Sequence, residues 1–74
     1  IELKPENYKA WYNRAIALSS LNDNQTALTN LDIAIKIKPT SDYIWNYRGQ
    51  VLGKLHQIPE AIASFENAIK INSK

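Results

Sequence analysis

Apolar residues recur along this chain at helical spacing. Trp11, Ala15 and Leu18 stand at i, i+4 and i+7, which puts them on one face of a helix. The pattern predicts a first helix from about Asn7 to Leu21. Asn22, Asp23 and Asn24 interrupt it with side chains that bond nearby backbone and favour turns and helix starts. A second stripe follows: Ala27, Leu28, Leu31, Ala34 and Ile35. It predicts a helix from about Gln25 to Ile37, stopped by Pro39. Thr40, Ser41 and Asp42 supply the next helix start. Trp45, Gly49 and Leu52 then mark a third helix, about Asp42 to Leu55, closed by the short turn His56-Gln57. Ala61, Ile62, Phe65, Ala68 and Ile69 mark a fourth, about Pro59 to Ile71. Pro59 suits its first turn, where the missing N–H costs nothing. Asp32 with Lys36, and Glu66 with Lys70, have the spacing of ion pairs one turn apart on the outer faces. No stretch alternates with period two for long enough to predict a strand.

The last two helices repeat the first two at an offset of 34 residues. Trp11, Arg14, Leu18 and Leu21 meet Trp45, Arg48, Leu52 and Leu55. Ala27, Ala34 and Ile35-Lys36-Ile37 meet Ala61, Ala68 and Ile69-Lys70-Ile71. Backwards, Ile1, Lys4 and Pro5 meet Ile35, Lys38 and Pro39. A period of this length signals stacked supersecondary units. The chain therefore divides into residues 1–5 (the tail of a preceding unit), 6–39 and 40–74, and is expected to be a piece of a longer array. Helices of this length joined by short turns fold back antiparallel on their neighbours. Ala15 and Gly49, with Ala27 and Ala61, mark where helices approach closely. Each tryptophan is expected to fill the space within its own helical pair.

At this point the residues resemble the tetratricopeptide repeat. Its pattern is a tryptophan, small and aromatic residues in the first helix, A-x3-F in the second, and a closing proline, over about 34 residues. The first unit reads Trp11, Ala15, Leu18, Ala27-x3-Leu31, Ala34 and Pro39. The second reads Trp45, Gly49, Leu52, Ala61-x3-Phe65 and Ala68, with Ser73 in place of the proline. Arg14 and Arg48 replace the usual leucine, and Leu18 and Leu52 the aromatic. The resemblance implies an all-α fold of four helices. They would form two antiparallel helix-turn-helix pairs, stacked as a right-handed α-solenoid. It also implies a scaffold whose concave side, lined by the first helix of each pair, binds a peptide of a partner protein.

Helical geometry says which residues would line that side. Opposite the stripe of Trp11, Ala15 and Leu18 lie Lys9, Tyr12, Asn13, Ile16 and Ser20. In the third helix the same place holds Tyr43, Asn46, Tyr47, Gln50 and Lys54. Tyrosines give contact area with few rotors to freeze, and amides bond a peptide backbone without demanding one sequence. Asn13 matches the asparagine that the family often places in its groove. Some members clamp the acidic C-termini of chaperones. Lys9 and Asn13 fit part of that clamp, and Tyr12, Asn46 and Tyr47 do not complete it. The same stripe also reads as a solvated inner surface, or as contact between successive first helices. Arg14 and Arg48 are expected to lie along apolar surface with their heads in water or on a neighbouring helix end.

Composition narrows the function classes. Seventy-four residues make one small domain with a thin core. There is no cysteine, hence no disulfide framework and no thiolate metal site. The net charge is +2, with both signs interspersed and no basic stripe, so nucleic acid and membrane surfaces are not the expected partners. No run is apolar enough for a signal or a span, and the cytoplasm is the expected location. Two glycines, no phosphate loop and no nucleophile–base pairing argue against an enzyme, and no cofactor or metal is expected. His56 sits alone in a turn. The leading reading is a protein-interaction module. The alternative is self-association: Ile62, Phe65 and Ile69 on the last helix form an apolar flank that the third helix cannot wholly cover.

Overall fold

The computed structural model describes residues 7–72. The tail expected at residues 1–5, Glu6, Ser73 and Lys74 lie outside the described residues. Four helices follow one another: α1, Tyr8–Ser20; α2, Asn24–Ile37; α3, Asp42–Lys54; and α4, Ile58–Ile71. The described residues contain no strand. α1 packs on α2, α3 packs on α4, and α2 packs on α3, so the two helical pairs stack in chain order. We call α1–α2 the first unit and α3–α4 the second.

The helix ends show why the chain turns where it does. Asn7 and Asp23 cap α1 and α2, accepting hydrogen bonds from the backbone N–H of Ala10 (3.2 Å) and Thr26 (3.4 Å). Ser41 stands at the start of α3 without such a bond, and its buried hydroxyl has no partner. α1 and α3 end alike. Asn22 (φ 68°) and His56 (φ 63°), one repeat apart, both take the left-handed conformation. The N–H of Asn22 donates to Ser19 O (2.9 Å) and that of Asp23 to Leu18 O (2.8 Å). One repeat later, His56 donates to Gly53 O (3.0 Å) and Gln57 to Leu52 O (2.9 Å). Both are Schellman endings, which satisfy orphan carbonyls while reversing the chain.

The core holds Ala15, Ala27, Leu31, Ala34, Ile44 and Val51, all fully buried. Leu52, Ala61 and Ala68 are buried in the second unit. Ile44 and Val51 lie outside the stripe expected from the third helix's own pattern. α3 is covered on two sides, by α4 and by the first unit, so it buries a second face. At the same places α1 carries Ala10 and Ala17, and Ala17 is exposed.

Three expectations need correction. In the second unit the ring that closes the pair is Phe65, which lies directly over Gly49. Trp45 is instead half-buried at the α2–α3 connection, where its Nε1 donates to Pro39 O at 2.9 Å. Trp11 does pack against the core. Asp32 does not pair with Lys36: it accepts from Arg48 Nε at 2.7 Å, the only ion pair among the described residues, so Glu66 and Lys70 form none. A fixed, half-buried guanidinium outcompetes a flexible surface amine for this carboxylate. Arg48 also donates through Nη1 to Ser64 Oγ at 2.7 Å. It therefore ties α3 to both α2 and α4 by their middles, not by a helix end. Arg14 stays exposed.

Candidate functional site

Stacking sets α1 and α3 side by side. Tyr12 is the join: its ring meets Tyr43 edge to face with centroids 4.9 Å apart, and Tyr47 at 5.9 Å. Such edge contacts are favoured by the ring quadrupoles. Tyr12 and Tyr47 are half-buried, and Tyr43 is exposed. Burial first, and then the neighbouring Tyr43 and Tyr47, hold the Tyr12 hydroxyl above the ordinary value of 10.0.

The remaining expected groove residues fall around this cluster. Lys9 and Asn13 are exposed on α1, and Asn46 and Gln50 are exposed on α3. Ile16 is half-buried and Ser20 exposed. Lys54 is exposed, but its Nζ donates to Ser19 Oγ at 3.2 Å, and Ser19 Oγ donates to Asn24 Oδ1 at 2.7 Å. The helical pattern carries no sign of this polar bridge from α3 to the end of α1. Ser19 is buried, and serine in a helix carries no apolar signal that would expose its role.

A second surface adjoins the first. Asp42, Tyr43, Asn46, Phe65, Ala68, Ile69 and Asn72 line an open depression of about 310 Å³ between α3 and α4. Tyr43 and Asn46, expected in the groove, thus share a rim with Phe65 and Ile69, expected on the flank. Ile69 is 64% exposed and Ile62 52% exposed. Ile62 lies on α4 but is not among the residues lining the depression. Asn72 Nδ2 donates to Asp42 Oδ2 at 3.0 Å and closes one end.

The described residues hold no cluster of His, Cys, Asp or Glu that could bind a metal ion. None of their helices is long and apolar enough to cross a membrane.

The profile of the family described as "Tetratricopeptide repeat" matches residues 1–29. That match joins the 34-residue period and the paired antiparallel helices. The chain belongs to the tetratricopeptide repeat family. It is similar to "Tetratricopeptide repeat protein 6" of Homo sapiens, at 28% identity over 74 residues. It is also similar to "Protein STIP1 homolog" of Dictyostelium discoideum, at 36% identity over 72 residues. The alignments cover 100% and 97% of this chain but only 14% and 13% of those proteins. The repeat's first helices, α1 and α3, carry the tyrosine cluster.

Proposed function

We propose that this chain is a protein-interaction module that holds a segment of a partner protein against the face built by α1 and α3. Tetratricopeptide repeats are generally protein-interaction scaffolds, and the chain's membership supplies the class of function. The single observation that carries the finer reading is the Tyr12–Tyr43–Tyr47 cluster with exposed amides beside it. Asn13, Asn46 and Gln50 can donate to and accept from an extended backbone, while the rings supply rigid apolar area. Lys9 adds positive charge at one end, so the preferred segment is neutral or acidic. No catalytic role belongs to this reading.

Selection of peptides from a random library on the immobilised chain tests it. Asn13→Ala and Gln50→Ala change only exposed side chains. Each should weaken the selected peptides by about fivefold, as a contact near an interface centre does. Peptides indifferent to both substitutions would remove the groove from the reading.

A further inference from the structure

α1 and α3 together offer many hydrogen-bond donors and almost no strong acceptor. α1 contains no aspartate or glutamate, and α3 contains only Asp42. The Oδ2 of Asp42 already accepts from Asn72 Nδ2 at 3.0 Å. Two lysines belong to the groove face, Lys9 on α1 and Lys54 on α3. The Lys54 ammonium uses one N–H on Ser19 Oγ at 3.2 Å and keeps two. Asn13, Asn46 and Gln50 are exposed, and each carries an amide NH2 that donates.

Three rings stand among these donors. Tyr43 and Tyr47 lie one turn apart on α3, and both cross the ring of Tyr12 steeply, at 74° and 76°. Each ring is thus held in place by a neighbour before anything binds. Tyr43 is the most open of them, at 39% exposure.

The occupant that suits such a face is rich in acceptors, poor in N–H groups and apolar in between. A segment bearing lysine or arginine would meet only like charge here. An ordinary extended segment brings an N–H on every residue, and only amide and phenol oxygens would be there to take them. A proline keeps its carbonyl and has no N–H. In the polyproline II form the backbone makes no internal hydrogen bonds, so its carbonyls stay free for outside donors. That form exists before binding, so little entropy is lost in ordering it against an aromatic surface.

We propose that the face of α1 and α3 takes a proline-rich segment of a partner protein in the polyproline II form, free of lysine and arginine; this rests on the groove reading above and narrows it. Prolines pack on Tyr43 and Tyr47, and the segment's carbonyls accept from Asn13, Asn46 and Gln50. Acidic side chains at its ends meet Lys9 and Lys54. Lys9 and Ser20 are about 16 Å apart along the axis of α1. About five residues of polyproline II, at about 3.1 Å each, cover that length.

The probe is decaproline, titrated into the isotopically labelled chain and followed by amide and side-chain shifts. Shifts should map to Tyr12, Asn13, Tyr43, Asn46 and Tyr47, and a glycine–serine peptide of equal length should cause none. Tyr43→Ala should weaken decaproline by about fivefold or more, whereas Tyr43→Phe, which keeps the ring, should not. Repeats of Pro-Pro-Glu should bind about threefold or more tighter than repeats of Pro-Pro-Lys, and Lys9→Glu should shrink that difference. Absence of decaproline shifts at about 5 mM, shifts at Phe65 and Ile69 instead, or undiminished binding by Tyr43→Ala would each overturn the proposal. The random-library selection separates this failure from that of the groove. Selected peptides that depend on Asn13 and Gln50 yet show no excess of proline would keep the groove and overturn proline as its occupant. Selected peptides indifferent to both residues, together with a silent decaproline titration, would overturn both.

Discussion

The ring of Phe65 occupies the space that a side chain at Gly49 would need. A Cβ on Gly49 would lie 2.7 Å from Phe65 Cε1 and 2.8 Å from Cδ1 and Cζ. The first unit solves the same packing with Ala15 and Leu31, both fully buried. One pairing uses a glycine under a ring, and the other an alanine with a smaller aliphatic chain. The two residues in each pair depend on each other.

The prediction is a change of sign. Gly49→Ala gains about 1 kcal/mol of helix propensity, but forcing the ring aside costs about 1–3 kcal/mol. The substitution should therefore destabilise by about 1 kcal/mol with Phe65 present. In a Phe65→Leu background the obstacle is gone, and the same substitution should stabilise by about 1 kcal/mol. Denaturant unfolding of the four proteins measures the coupling directly. Equal effects in both backgrounds would mean that the ring moves freely.

Arg48 and Asp32 should not be equivalent, although they form one ion pair. Asp32 is about half exposed, with a side-chain exposure of 51%, so Asp32→Ala should cost under about 1 kcal/mol. Arg48→Ala also strands the Ser64 hydroxyl, which is fully buried and accepts from Nη1. That adds about 1–3 kcal/mol, so Arg48→Ala should be the more damaging change. High salt should erase most of the Asp32 effect and little of the Arg48 effect. Comparable losses would place the stabilisation in the ion pair alone.

The repeat, the four helices and the pairing of neighbours were legible because they follow from one period and one hydrophobic stripe. What escaped the sequence lies where α3 meets the first unit. The stripe of α1 cannot announce a second buried face, because α1 does not have one among the described residues. The signal was present as a difference: branched Ile44 and Val51 stand where α1 carries Ala10 and Ala17. The partner of Asp32 escaped for a similar reason. Lys36 is its neighbour in sequence, whereas Arg48 becomes its neighbour only once the units stack. Tyr12, Tyr43 and Tyr47 were placed on one side by helical geometry. Their edge-to-face contact depends on the approach of α1 to α3, which no single helix encodes.

His56 holds a left-handed backbone at φ 63°, where a side chain costs energy that glycine avoids. His56→Gly should stabilise the chain by about 0.5–1 kcal/mol, net of the entropy that glycine loses. In a domain this small that raises the melting temperature by about 3–6 °C. Asn22→Gly should gain less, because asparagine tolerates this conformation better. His56→Val should lower the melting temperature, since a β-branched side chain fits there worst. Thermal unfolding of the three variants ranks them. A destabilised His56→Gly would show that the imidazole makes a contact outweighing the strain.

Tyr12 makes stability fall at alkaline pH. Its hydroxyl titrates above the ordinary value of 10.0 in the folded chain, because burial and then the adjacent Tyr43 and Tyr47 oppose the phenolate. The folded state therefore holds its proton where the unfolded state has released it. The contribution is fully present below pH 10 and is lost as pH rises through the folded value. The wild-type curve alone does not isolate the effect. The difference between wild type and Tyr12→Phe does, because phenylalanine keeps the ring and removes the acid. Unfolding midpoints measured from neutral pH to beyond pH 10 should fall more steeply for wild type than for Tyr12→Phe. Parallel curves would mean that Tyr12 ionises as freely in the folded chain as in the unfolded one, and that the cluster is open to water.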